Sequence, residues 1–185
     1  MNQSWEVLKN ALIYEASPWI RLSVQQVRLP NGKVVDNFHR VKMPEYAVVV
    51  ARTSDGRMIM ERQYKHGVGK VSLMLPGGLI EPGEEPIAAA RRELMEETGY
   101  SSDNWQSLGS FVANANYGCG KAHIFCAKNA ILVQTPNSGD LEEMEIVLLS
   151  PEGSIDAVRS GEVMALSAMA AIALATNPLF TEVGD

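Results

Sequence analysis

Three glutamates, Glu93, Glu96 and Glu97, stand at i, i+3 and i+4. On a helix that spacing puts three carboxylates on one face, with neighbouring Cβ atoms about 5–6 Å apart. Like charges so placed repel one another. Gly99 follows where a C-terminal cap belongs, and the dipole at that end of a helix disfavours anions. A sequence that accepts both penalties points to a cation on this face. Oxygen-only ligands select hard ions, so the expected cofactor is Mg²⁺, with Mn²⁺ as a substitute. Arg92, beside the cluster, can grip a carboxylate bidentately and hold its rotamer. Taken alone, the same residues also fit a solvated acidic face with an ordinary Arg92–Glu96 surface pair.

The elements that must carry this cluster are legible around it. Pro86 to Thr98 predicts a helix, with proline in the first turn and Ile87, Ala90 and Leu94 on the side that should face a core. Before it, Trp19–Leu29 and Val34–Val41 alternate apolar and polar residues about Asn31-Gly32, which predicts a hairpin. Strands are expected at Tyr46–Thr53, Met58–Tyr64 and Val71–Leu75, with a turn at Asp55-Gly56. Further strands are expected near Gln106–Ala113, Ala122–Ala127 and Met144–Leu149. A second helix opens at Ser150-Pro151-Glu152 and closes at Gly161. A third, rich in alanine, runs from about Val163 to Thr176 and stops before Pro178. There is no internal repeat. Mixed strands with a few helices predict an α+β fold, or an α/β/α sandwich.

The totals restrict the function classes. The 185 residues carry a formal net charge of −6, which argues against non-specific nucleic-acid binding. Cys119 and Cys126 are too few for a disulfide framework and fit a reducing cytoplasm as small buried fillers. His39, His66 and His123 lack ligand spacing. The first residues show no basic-then-apolar leader, and the longest apolar run, Met164–Ala175, is shorter than a bilayer span, so a cytoplasmic protein with no membrane contact is expected.

The stretch from Gly78 to Tyr100 carries a resemblance. Gly78, five residues, Glu84, seven residues, then Arg92-Glu93-Leu94-x-Glu96-Glu97-x-Gly99-Tyr100 resembles the Nudix box with every fixed position filled. The resemblance implies a loop–helix–loop in an α/β/α sandwich with a mixed sheet. It implies that Glu93, Glu96 and Glu97 hold metal, that the Gly78 carbonyl adds a ligand, and that Arg92 and Glu84 orient the cluster. It implies phosphoryl chemistry, in which charge neutralisation and placement of a nucleophile matter more than covalent steps.

Two further segments narrow the substrate. Glu61-Arg62-Gln63-Tyr64-Lys65 and Leu75-Pro76-Gly77-Gly78, continued by Glu81-Pro82-Gly83-Glu84, resemble the ADP-ribose pyrophosphatase branch. That implies hydrolysis of ADP-ribose to AMP and ribose 5-phosphate, with Arg62 and Lys65 contacting substrate phosphates. Lys65 replaces the usual arginine, and Ala113-Asn114-Ala115-Asn116 departs from the branch's serine-proline-glycine loop. GDP-mannose, ADP-glucose and other nucleotide sugars therefore stay open. So does a non-catalytic nucleotide-sugar-binding module, although all three box glutamates are intact. The catalytic base is expected on the polar loop of residues 137–143, at Glu142 or Glu143, with Glu145 behind them. Residues 1–44 are expected to form an N-terminal β region that dimerises, and 45–185 the Nudix hydrolase domain. Trp5, Tyr14, Trp19 and Phe38 are expected in a core or dimer interface, with base stacking as the other option.

Overall fold

The computed structural model describes residues 4–137 and 144–181. The chain forms two compact units.

The first unit comprises the residues up to Glu45 together with Val112–Lys121. Its core element is an antiparallel sheet of β1 (Glu6–Ala16), β2 (Ile20–Arg28) and β3 (Val34–Lys42), in that order. The Asn31-Gly32 turn closes as the sequence predicts, with the Leu29 amide donating to the Lys33 carbonyl at 2.8 Å and Gly32 to Leu29 at 2.9 Å. Strand β1 was not anticipated. Register shifts at Val7/Lys9 and Leu12/Tyr14 interrupt its alternation, which removes the period-2 signal by which a strand is read. The Val41 amide donates to the Tyr117 carbonyl at 3.1 Å and ties segment 112–121 to β3.

The second unit comprises Tyr46–Phe111 and the residues from Ala122 onward. It is built on β4 (Tyr46–Thr53), β5 (Met58–Lys65), β6 (Lys70–Met74), α1 (Pro86–Thr98) and β7 (Tyr100–Ser101). Then follow β8 (Asn104–Asn114) and β9 (Cys119–Leu132), whose adjoining ends within Val112–Lys121 belong to the first unit, and β10 (Met144–Leu149), α2 (Pro151–Ser160), α3 (Leu166–Thr176) and α4 (Pro178–Thr181). The sheet runs β10-β5-β4-β9-β7, with β6 on β5 and β8 on β9. It is mixed: β4 pairs with β9 in parallel, whereas β5 pairs with β6 and β10 antiparallel.

Strand β4 explains the layering. Ala47, Val49 and Ala51 share one core with Ala89, Ala90 and Leu94 of α1. Val48 and Val50 share the other with Ala157 of α2 and Ala168, Ala171 and Ile172 of α3. A strand covered on both faces reads as a continuous apolar run, and the result is the α/β/α sandwich. Helix α3 begins at Leu166, three residues later than its composition suggests. The preceding residues are held as an extended segment on β6: the Leu73 amide donates to the Glu162 carbonyl at 2.9 Å and the Met164 amide to Ser72 Oγ at 3.2 Å. Helix α2 starts and stops as expected, with Ser150 Oγ accepting from the Gly153 amide at 3.0 Å. Among the described residues no helix is long and apolar enough to cross a membrane.

Candidate active site

Helix α1 carries the three glutamates on its last two turns, and the Gly99 amide closes the final turn on the Met95 carbonyl. No basic residue offsets the negative end of the helix there. The offset comes from Arg92, one turn earlier. Its Nε donates to Glu84 Oε1 at 3.0 Å and its Nη2 to Glu84 Oε2 at 3.1 Å. Nη1 donates to Glu93 Oε1 at 2.7 Å and to Glu96 Oε2 at 3.3 Å. Nη2 also reaches the Leu79 carbonyl at 3.0 Å. One guanidinium therefore ties the loop before the helix to two of the helix carboxylates. The Arg92–Glu96 pair exists, but as the longest of these contacts. Glu84 is held below the usual carboxylate range, first by Arg92 and then by the Glu81 amide. Arg92 is correspondingly raised, chiefly by Glu84.

Glu97 is different in kind. It is buried, and its Oε2 accepts from the Gly77 amide at 2.7 Å. The Leu75-Pro76-Gly77-Gly78 segment thus lies against two of the helix carboxylates. A Cβ on Gly78 would fall 2.4 Å from Glu93 Oε1, and one on Gly77 would fall 2.2 Å from the Ala47 carbonyl oxygen. Gly77 is demanded by close approach to backbone, whereas at Gly78 the group met is the end of the Glu93 side chain. The Gly78 carbonyl accepts from the Ala47 amide at 2.9 Å, which leaves its second lone pair as the one that could serve a ligand. Gly77 was not singled out by sequence reasoning; its place immediately before the box glycine was the available signal.

Side-chain exposure grades the cluster, at 13% for Glu93 and 46% for Glu96. Among the described residues, no group of three or more carboxylate, histidine or cysteine side chains closes around a common point. Glu93 is turned to Arg92 and Glu97 to the Gly77 amide. The donor set nevertheless suits a hard divalent cation, because it is all oxygen and sits where backbone without side chains leaves room.

Other predicted residues lie elsewhere in this unit. Arg62 pairs with Glu145 at 3.4 Å and Glu162 at 3.3 Å, and Lys65 ends β5. Glu61 and Gln63 are buried, and Gln63 Nε2 donates to Glu61 Oε2 at 3.1 Å, a buried polar pair between residues two apart on β5 that the strand pattern alone does not reveal. Glu142 and Glu143 lie outside the described residues. Cys126 is buried, which pushes its thiol up, whereas Cys119 is only half-buried and so a looser filler than expected. In the first unit Trp5 meets Phe38 edge-on at 5.7 Å, while Tyr14 and Trp19 are more than half exposed and belong to no core of this chain.

Residues 42–176 match the NUDIX domain, and the chain belongs to that family. It is a Nudix hydrolase. It is 32% identical over 145 residues to the ADP-ribose pyrophosphatase of Bacillus subtilis (strain 168), covering 78% of each chain. It is 34% identical over 128 residues to the methanol dehydrogenase activator of Bacillus methanolicus, covering 69% of this chain and 68% of that one. A solved structure described as an ADP compounds hydrolase superposes with a TM-score of 0.78 at 20% identity, over 92% of this chain and 91% of the other. At that identity the likeness establishes the fold alone.

Proposed function

We propose that this Nudix hydrolase cleaves the diphosphate bond of a nucleoside diphosphate sugar, with ADP-ribose as the first substrate and AMP and ribose 5-phosphate as products. The observation that carries the reading is the Arg92 clamp, which fixes Glu84, Glu93 and Glu96 together beside the Gly77-Gly78 loop. The relative named as an ADP-ribose pyrophosphatase supports the choice of substrate.

Glu93, Glu96 and Glu97, with the Gly78 carbonyl, would hold Mg²⁺, or Mn²⁺ in its place. Bound there, the cation supplies charge neutralisation of the diphosphate and activation of a water. The chain's own residues do the rest. Arg92 keeps the glutamate rotamers fixed, so little reorganisation is left for the moment of reaction. The Gly77 amide fixes the position of the Glu97 carboxylate by donating to it. Arg62 and Lys65 are proposed to meet the substrate phosphates, Arg62 by exchanging its carboxylate partners for phosphate oxygens. Glu142 or Glu143 is proposed as the general base.

The test is hydrolysis of ADP-ribose in ¹⁸O-labelled water with Mg²⁺, followed by mass spectrometry of both products. Label in either monophosphate supports attack at phosphorus and shows which phosphate is hit. Release of ADP with unphosphorylated sugar refutes the reading, since it requires cleavage of the ester link between the β-phosphate and the sugar and leaves the diphosphate bond intact. ADP-glucose and GDP-mannose run in parallel decide among nucleotide sugars.

A further inference from the structure

Strand β5 opens as a strand covered on both faces should, with Met58, Ile59 and Met60 fully buried and apolar. Glu61 comes next and breaks the run. It is 1% exposed, as buried as its neighbours, and it carries a carboxylate. Packing asks for an apolar residue at such a place, and a carboxylate taken out of water is costly unless other groups answer it. Gln63, two residues on, is buried as well and turns its Nε2 to Glu61 Oε2 at 3.1 Å. The amide thereby fixes the rotamer of the carboxylate.

Strand alternation shows which layer the charge enters. Ile59 belongs to the core under α1, with Val49 and Leu94, so Glu61 continues that face of β5. On the helix, Glu97 follows Leu94 by three residues and continues the stripe that faces the sheet; it too is buried. The backbone between the two carboxylates is short. Glu61 is the cross-strand partner of Met74 on β6. Three residues further, the Gly77 amide donates to Glu97 Oε2 at 2.7 Å. An extended chain covers at most about 3.6 Å per residue and paired strands lie about 5 Å apart, which puts Gly77 within about 16 Å of Glu61. The Pro76 carbonyl accepts from the Val49 amide at 2.9 Å, and so keeps that path on the same core. One buried carboxylate from the sheet and one from the helix thus share a single packed layer.

We propose that Glu61 is a positioning residue of the metal centre. It is not a ligand. Its charge lies behind Glu97 and deepens the negative potential into which a divalent cation settles at Glu93, Glu96 and Glu97. The effect carries across the layer because packed apolar side chains screen a charge far less than water does. A neutral side chain of the same shape would suit the apo fold as well or better; the carboxylate is of use only to a cation. The inference rests on the assignment of the three helix glutamates to the metal.

The experiment measures Mn²⁺ binding to the full chain without substrate, by the electron paramagnetic resonance signal of free Mn²⁺, together with thermal melts of the metal-free protein. Wild type, Glu97→Gln, Glu61→Gln and Glu61→Asp are compared. Saturable binding by wild type that is weakened in Glu97→Gln tests the metal assignment itself. Wild type that binds no Mn²⁺ up to about 1 mM removes that assignment, and this inference with it. Given wild-type binding, Glu61→Gln should weaken it about tenfold or more. Glu61→Asp, which keeps the charge, should stay within about threefold of wild type. The metal-free Tm of Glu61→Gln should equal or exceed that of wild type, because a buried charge is gone and the Gln63 contact can still form. Unaltered Mn²⁺ affinity in Glu61→Gln overturns the proposal. So does an aspartate variant as weak as the glutamine one, which would make shape and not charge the property that matters. A Glu61→Gln protein that melts well below wild type without metal, or does not fold, overturns it too, by showing that the carboxylate serves the fold.

Discussion

Arg92 holds Glu84 through two hydrogen bonds, Nε to Oε1 at 3.0 Å and Nη2 to Oε2 at 3.1 Å. The remaining Nη1 bridges Glu93 and Glu96. A planar fork can serve both sides at once; an ammonium is a point charge and cannot. Arg92→Lys is therefore expected to lower kcat by about 10–100-fold, the usual cost of losing a group that orients metal-holding residues, with a smaller change in KM. Steady-state kinetics across a Mg²⁺ titration checks this. A lysine variant with wild-type kcat at every Mg²⁺ concentration would remove Arg92 from the positioning role.

The same pair sets a pH dependence. Glu84 lies below its ordinary value of 4.5, mainly through Arg92. A carboxylate depressed in the folded state contributes stability that is fully present above its unfolded value and is lost as pH falls through the folded one. Glu84→Gln should therefore lower Tm at neutral pH, and the gap to wild type should close on acidification to about pH 4 and below. Thermal melts of both proteins from neutral to acid pH read this directly. A gap that stays constant with pH would mean that the Glu84 charge contributes nothing.

Much of this geometry was legible in the sequence because helical spacing is a local rule. Glu93, Glu96 and Glu97 on one face, Pro86 at the start and Gly99 at the end all follow from residue order. The partners across the fold were less accessible. The Glu97–Gly77 contact links positions twenty residues apart, and spacing within a helix says nothing about which backbone amide a carboxylate will meet. Strand β1 was missed because its register shifts erase alternation. Helix α3 was started too early because hydrogen bonds to β6 override the helix preference of its alanine-rich approach.

Gly78 offers a sharp steric test. A methyl group there would press on Glu93, and the neighbouring contacts leave that carboxylate fixed by Arg92. Gly78→Ala is expected to cost about 1–3 kcal/mol of stability, in the range of other overpacked sites, and to reduce hydrolysis by more than stability accounts for. Denaturant unfolding alongside activity at a temperature where the variant stays folded separates the two effects. An alanine variant with unaltered activity would show that the Glu93–Gly78 approach is incidental.

Glu97→Gln isolates charge from shape. The amide can still accept from Gly77 through its oxygen, so the fold and Tm should change little. Losing one anionic ligand should nevertheless forfeit about 3 kcal/mol or more of transition-state stabilisation, roughly a hundredfold in rate. Circular dichroism and single-turnover hydrolysis at saturating Mg²⁺ test both halves. Near wild-type turnover would end the assignment of Glu97 to the metal.

The oligomeric state is the last expectation, and it rests on the first unit. A small antiparallel sheet is stable only when a face is covered. Here Leu12, Ile13, Tyr14 and Trp19 are each more than half exposed. Clustered exposed apolar groups of this kind mark interaction surfaces, and a second copy of the chain is the partner always at hand. A homodimer buried through residues before Pro44 is expected, leaving twice the 20.2 kDa chain mass in solution. Replacing Tyr14 and Trp19 by charged residues should shift the population toward monomer, because burying an unpaired charge at an interface is costly. Light scattering coupled to size exclusion at micromolar protein gives the mass of each form. A monomer mass for the wild-type chain would exclude the dimer outright. A dimer mass retained by the doubly charged variant would place the interface elsewhere on the molecule.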